Sequence, residues 1–310
     1  MSLQLTGIIP PLVTPFIPGS EDLDERALRS ELRYLLEAGV HGVTLCGSTG
    51  EGHTLSVEET VRCAEVAVEE VRGRVPVVIG IIRDSTREVI RYGQALRRVR
   101  GVDALQITPV HYLFNAGAEG TYTYYRDIGQ AVGLPIVIYN VVPWNTISPE
   151  TLLRLSELPQ VIAVKQSGGD IHKLAELLRI NQGRLQVLSA VDDLLYLSFV
   201  LGAQGAIAAV LTVVPDLAVA LWDAVQHGDH HAALELHERI LPVWTAVNHP
   251  DMSARIKAAI ALRGRNVGPA RKPLLPVSDE ARREIHTALE QAGVLRPAVL
   301  PAGVAWVPTG

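Results

Sequence analysis

Short apolar, β-branched runs recur along the first two-thirds of the chain, separated by stretches of mixed polarity. The runs predict eight strands: Ile8–Thr14, Gly42–Cys46, Val77–Ile81, Ala104–Thr108, Ile136–Asn140, Ile162–Gln166, Gln186–Ala190 and Ala206–Val210. Their near-continuous hydrophobicity is that of strands covered on both faces. The intervening stretches, such as Asp24–Ala38, Val57–Val71 and Thr86–Val99, repeat apolar residues at three- and four-residue spacing, the helical period. Helix starts carry recognisable caps. Ser56 precedes Glu58 and Glu59, a capping-box arrangement. Ser148-Pro149-Glu150 sets Ser at the cap and Pro at the first helical position.

Strand–helix alternation implies a parallel sheet, and eight repeats in roughly 200 residues fit a closed α/β barrel, the (β/α)8 TIM barrel, better than an open sheet. A doubly wound sheet would carry a Gly-rich dinucleotide loop after its first strand. The chain instead reads Pro15-Phe16-Ile17-Pro18-Gly19-Ser20 there. Residues 1–216 are therefore expected to form the catalytic barrel and 217–295 a C-terminal helical extension packed on it. The Pro- and Gly-rich stretch 296–310 is expected to be extended.

A chain of 310 residues, 48% hydrophobic, is ample for one such barrel. A net charge of -5 without a basic stripe argues against a nucleic-acid partner. No apolar run is long enough to span a membrane. Cys46 and Cys63 lie in unlike contexts and suggest no disulfide framework, and the expected compartment is the cytoplasm. The His227-Gly228-Asp229-His230-His231 cluster, with His237 beyond it, matches no strong zinc spacing, and no metal is expected.

Among 28 basic residues only Lys165, Lys173, Lys257 and Lys272 are lysines. Lys165 closes the apolar run Val161-Ile162-Ala163-Val164. A buried ammonium is costly, and Lys, unlike Arg, can shed its proton and attack a carbonyl as a neutral amine. A Lys snorkelling from a strand end is the alternative. Side chains alternate along a strand, so Val161, Ala163 and Lys165 should share the inner face, with Ile162 and Val164 outside. By the same alternation Val137 and Tyr139 face inward. Tyr139 is then either a core aromatic or a phenol beside the amine. The second strand ends in Cys46-Gly47-Ser48-Thr49-Gly50-Glu51-Gly52, either a tight turn or a loop whose N–H groups and hydroxyls hold a carboxylate. It lacks the P-loop spacing. Cys46 reads as a packing residue. In this barrel class the strand C-termini carry the chemistry. There Lys165 would attack the ketone of a 2-oxo acid, Ser48 and Thr49 would hold its carboxylate, and Tyr139 would move protons.

These segments together resemble the dihydrodipicolinate synthase / N-acetylneuraminate lyase family of class I aldolases, from about Gly7 to Leu295. Gly47-Ser48-Thr49-Gly50-Glu51 resembles the family's pyruvate-carboxylate loop, Tyr139-Asn140-Val141 its fifth-strand Tyr segment, and Val164-Lys165 with Ser167-Gly168 its Schiff-base Lys segment. Gly205-Ala206-Ile207 resembles its eighth strand, which implies that the Ile207 backbone lies near the bound keto acid. The resemblance also implies a barrel with C-terminal helices, small 2-oxo acid and aldehyde substrates, neither metal nor organic cofactor, and a homodimer or homotetramer. In the family's synthases a Tyr follows Thr-Pro after the fourth strand; here Thr108-Pro109 is followed by Val110-His111-Tyr112, so His111 or its neighbour Tyr112 takes that place. Their Arg a few residues after the fifth-strand Tyr is replaced by Val142-Pro143-Trp144-Asn145-Thr146, which argues against true dihydrodipicolinate synthesis. Lys165-Gln166-Ser167-Gly168-Gly169-Asp170 and Asn145-Thr146 are more similar to the 4-hydroxy-2-oxoglutarate and 2-keto-3-deoxy sugar acid aldolases. Asp192 and Asp193 fall where neuraminate lyases bind sugar hydroxyls, or serve as helix-start carboxylates. Arg83 is a candidate anion contact or a surface partner of Asp84, and Trp144 a wall for the aldehyde or an interface residue. The expected activity is aldol cleavage or condensation. A 4-hydroxy-tetrahydrodipicolinate synthase, a 2-keto-3-deoxy acid dehydratase, a non-catalytic keto-acid sensor and an unrelated phosphate-using barrel are the alternatives.

Overall fold

The computed structural model describes residues 3–167 and 170–295. The expectations for the 296–310 tail and for Gly168 and Gly169 lie outside the described residues. Eight parallel strands run in sequence order: β1 (Gly7–Ile8), β2 (Val43–Leu45), β3 (Val77–Ile81), β4 (Ala104–Ile107), β5 (Ile136–Asn140), β6 (Val161–Gln166), β7 (Gln186–Ser189) and β8 (Gly205–Ala206). Each pairs with its neighbour in sequence from β2 to β8, and β8 returns to β1. A parallel bridge between Pro11 and Thr44 closes β1 onto β2, and the (β/α)8 barrel expected from the alternation results. Helices α1 (Glu25–Glu37), α2 (Val57–Val71), α3 (Thr86–Leu96), α4 (Gly117–Val132), α5 (Pro149–Leu155), α6 (Ile171–Asn181) and α7 (Leu195–Val200) connect successive strands. The short α8 (Val210–Val213) follows β8, and α9 (Pro215–Gln226), α10 (His230–Val247), α11 (Met252–Leu262) and α12 (Asp279–Gln291) complete the described chain.

Ser56 accepts from Glu59 N–H while Glu59 accepts from Ser56 N–H, which closes a reciprocal box. Ser148 caps α5 with Pro149 at its first position. The first strand is shorter than its apolar pattern because Pro10 and Pro11 have no N–H to donate. Their segment contributes the Pro10 carbonyl, which accepts from Thr44 N–H. The eighth strand also stops early. Ile207 N–H still reaches Ser189 O, but Val210 opens α8, a boundary that hydrophobic pattern alone cannot place within a short apolar run.

Two cores follow from strand alternation. Leu5, Ile9, Val78, Ala104, Val137, Ala163, Leu188 and Ile207 fill the barrel interior, and a larger layer packs between strands and helices. Ile136 and Ile138 face the helices, as expected. The assignment for the start of β6 is corrected. The register shifts between Ile136 and Val137, which pair with Val161 and Ala163. Ile162 is the extra residue of this bulge, so Val161 packs in the outer layer and Ile162 against the inner cluster. Alternation resumes at Ala163 and leaves Lys165 inward. Beyond the strands, α9 packs on β1 and α7, and α10 lies against α9, α11, α12 and the Asp192–Leu194 turn. The C-terminal helices thereby reach the mouth of the barrel.

Candidate active site

Lys165 and Tyr139 are register partners on β6 and β5, so the two side chains leave adjacent strands at one height. Lys165 is 4% exposed and Tyr139 5%. Lys165 Nζ lies 3.9 Å from the centroid of the Tyr139 ring, where the π-face attracts a cation. Among the described residues the amine has no ion-pair or hydrogen-bond partner. It opens into a cavity of about 320 Å3 at the C-terminal ends of the strands, where this barrel class places its chemistry.

The loop after β2 forms the adjacent wall. Glu51 N–H donates to Ser48 O and Gly52 N–H to Gly47 O, both at 3.0 Å, and Thr14 Oγ1 donates to Gly50 O at 2.5 Å. A Cβ on Gly52 would collide with the Cys46 carbonyl, so this close turn requires glycine. Thr49 lines the main cavity. A Cβ on Gly47 would meet the Gln106 side-chain amide nitrogen at 3.4 Å. Ser48 lines a second cavity of about 190 Å3 together with Thr108, His111 and Trp144. The Tyr139 hydroxyl bridges the two by donating to Ser48 Oγ at 3.2 Å. His111 belongs to the second cavity, with Nδ1 3.0 Å from Asp84. Asp84 also accepts from the His111 and Tyr112 backbone N–H groups. Ser167 and the Ile207 segment line the main cavity, with Ser167 Oγ buried and without a hydrogen-bond partner among the described residues.

Asp192 lies on the far side of the cavity from the loop elements, at the turn after β7. Its Oδ1 accepts from Val210 N–H at 2.8 Å, which ties that turn to the start of α8. Burial pushes the Asp192 carboxyl up to about 7, although the Val210 hydrogen bond and the Lys165 charge act in the opposite direction. Asp193 lines the same wall.

Neither reading of Arg83 holds. Its guanidinium donates to the carbonyls of Gly52, His53, Leu55 and Ile82 and to the Tyr92 hydroxyl. It therefore fixes the backbone after the Ser48–Thr49 loop and is not among the residues that line either cavity. Trp144 is exposed, donates to His111 O at 3.1 Å and borders the second cavity. The Cys46 thiol is buried beside Cys63, and this neighbour together with burial pushes it well above its ordinary range, against a nucleophilic role. No three metal-ligating side chains converge among the described residues.

The strand-end reading missed Trp244, Asn248 and Met252, which line the main cavity from α10, α11 and the turn between them. Nothing local in that helical segment marks it. Only the closure of α10 onto the turn at Asp192 brings it to the barrel mouth.

The family model described as the dihydrodipicolinate synthetase family matches residues 4–292. A 4-hydroxy-tetrahydrodipicolinate synthase of Methanopyrus kandleri is 35% identical over 299 residues, 95% of this chain and 99% of that one. A prophage protein of the dihydrodipicolinic acid synthase family from E. coli K12, solved in complex with pyruvate, superposes with a TM-score of 0.88 at 27% identity, covering 94% of this chain and all of the other. The chloride-inhibited dihydrodipicolinate synthase of Acinetobacter baumannii, complexed with pyruvate, gives 0.87 at 28% identity over 94% of this chain and all of its own. With that match along nearly its whole length, and a barrel that superposes on theirs, the chain belongs to the dihydrodipicolinate synthetase family and is an enzyme of its class I, Schiff-base lyases.

Proposed function

We propose that Lys165 forms a Schiff base with pyruvate or a related 2-oxo acid and that the enzyme cleaves or forms a 2-keto-3-deoxy sugar acid. The observation that carries this reading is a buried primary amine with no ion-pair or hydrogen-bond partner among the described residues, packed against Tyr139 in a cavity beside the Ser48–Thr49 loop. The neutral amine adds to the C2 carbonyl, and the carbinolamine loses water to give an iminium. Tyr139, hydrogen-bonded to Ser48, donates and recovers the protons. His111, held by Asp84 beyond Ser48, extends that route towards solvent. Thr49 and the loop N–H groups hold the carboxylate, with Gly47 supporting the turn and Ser167 and the Ile207 backbone alongside. In cleavage the 4-hydroxyl loses its proton to the relay and the C3–C4 bond breaks. The iminium takes up that electron pair and becomes an enamine. An aldehyde departs. Protonation at C3 and hydrolysis then release pyruvate and free Lys165.

The far wall selects the aldehyde. It presents Asp192, Asp193 and the Asn248 amide, and the only cation among the described lining residues is Lys165 itself. Such a wall suits hydroxyl groups and offers a second carboxylate no partner cation, which disfavours 4-hydroxy-2-oxoglutarate. The name of the Methanopyrus relative favours a second reading, condensation of pyruvate with an aldehyde that carries its own carboxylate. No guanidinium lines either cavity among the described residues to receive that charge.

A substrate panel separates the two. Pyruvate release from 2-keto-3-deoxy sugar acids should exceed, in kcat/KM, both cleavage of 4-hydroxy-2-oxoglutarate and condensation of pyruvate with aspartate semialdehyde. Preference for either carboxylate-bearing partner would overturn the sugar-acid assignment.

A further inference from the structure

Two of the four lysines are buried. One is Lys165; the other is Lys257, in the middle of α11 and 3% exposed. Its Nζ is 2.7 Å from Glu51 Oε1, donates to Pro269 O at 2.8 Å, and lies 4.4 Å from the centroid of the Phe16 ring. Glu51 is itself 1% exposed, and its Oε2 accepts from Arg271 N–H at 2.8 Å. The Arg271 guanidinium lies 4.2 Å from the centroid of the same Phe16 ring, pairs with Glu59 at 2.6 Å, and donates to Thr54 O at 3.1 Å. Burial pushes the Lys257 ammonium below its ordinary value and Glu51 pulls it back up.

Glu51 is the penultimate residue of the loop that carries Ser48 and Thr49. It adopts a left-handed backbone, φ 54°, which an L side chain occupies at a cost. A buried ion pair is not the most stabilising way to fill such a space, because well-packed apolar side chains often do as well or better. The pair does supply direction. One carboxylate receives donors from α11 and from the segment after it, so the turn has a fixed position relative to that helix. The first residue of α11, Met252, lines the main cavity. One helix thus forms part of the substrate wall and grips the opposite loop.

We propose that Lys257 is a positioning residue: through Glu51 it sets the Ser48–Thr49 loop for the carboxylate of the 2-oxo acid. The inference rests on the reading that this loop holds that carboxylate. Lys257 touches no substrate and acts only through Glu51.

The test uses the full chain as wild type, Lys257→Arg, and the double variant Glu51→Gln/Lys257→Met. The double variant leaves no unpaired charge buried, so the fold is kept while the ionic tether is lost. KM and kcat are measured with a cleaved 2-keto-3-deoxy acid, and KM for pyruvate in the reverse direction. Borohydride trapping on Lys165 with pyruvate serves as an independent readout. The double variant should remain folded, with KM for the 2-oxo acid raised ~10-fold or more, about 1.4 kcal/mol of binding. Its kcat should change much less, a split that a general loss of structure would not give. Lys257→Arg, which keeps the charge but not the compact ammonium geometry, should fall between the two. A folded double variant, or a Lys257→Arg enzyme, with KM and trapping unchanged would overturn the tether while leaving the Schiff-base reading intact. A wild type that traps no pyruvate on Lys165 would remove the premise, and the proposal with it.

Discussion

Asp192→Asn offers a quantitative test of the site's electrostatics. The carboxyl moves from an ordinary 3.8 to about 7 in the folded protein, because burial disfavours its charged form. The folded state therefore holds a proton that the unfolded chain releases across that range. The resulting stability is fully present below 3.8, falls by ~1.4 kcal/mol per pH unit between the two values, and is gone above about 7. Between pH 5 and pH 8 the loss integrates to roughly 2–3 kcal/mol. Asparagine keeps an oxygen for the 2.8 Å hydrogen bond from Val210 N–H but cannot ionise, so the variant lacks this term. Glu31, another carboxyl raised by burial, is present in both proteins and cancels. The assay is urea unfolding of both proteins at equal concentration from pH 5 to pH 8, followed by tryptophan fluorescence. The stability difference should shift by roughly 2–3 kcal/mol in favour of the Asn variant as pH rises. Parallel pH profiles would show that Asp192 is charged throughout and refute the reasoning.

Two further perturbations separate chemistry from scaffold. Tyr139→Phe keeps the ring against Lys165 but removes the hydroxyl that donates to Ser48. Stopped-flow trapping should show adduct formation slowed ~10²–10⁴-fold on a folded protein, whereas an unchanged rate would remove Tyr139 from the proton route. Arg265→Met breaks the buried pair with Glu31, 2.9 Å apart, and leaves a carboxylate without its partner. Denaturant unfolding should register a loss of ~3–5 kcal/mol, most of it regained by adding Glu31→Leu, and a single variant as stable as wild type would contradict the assignment.

The barrel was legible because eight apolar runs and their intervening helices follow two simple periods. The positions of Lys165 and Tyr139 followed from counting back and forth along β5 and β6. Counting failed where backbone hydrogen bonding departs from ideal pairing. Pro10 and Pro11 cut short β1, and a bulge at Ile162 exchanged the faces of the first two residues of β6. Within the apolar run Ala206–Val213, no period marks where the strand yields to α8. The far wall was illegible for a different reason. Trp244, Asn248 and Met252 join the site through the packing of α10 on the Asp192–Leu194 turn, and nothing in the local sequence encodes that tertiary contact. Arg83 reads as a free cation at a strand end, yet its two terminal nitrogens are engaged by four backbone carbonyls and a phenol. A side chain's charge is visible in sequence and its partners are not.

The central claim is that Lys165 is the Schiff-base amine. Borohydride reduction in the presence of pyruvate, read by intact mass and peptide mapping, tests it most directly. The account expects one pyruvate-sized adduct on the peptide containing Lys165 and none in Lys165→Ala. Folded wild-type protein that acquires no adduct with pyruvate or longer 2-oxo acids, or that carries it on another lysine, would contradict the account.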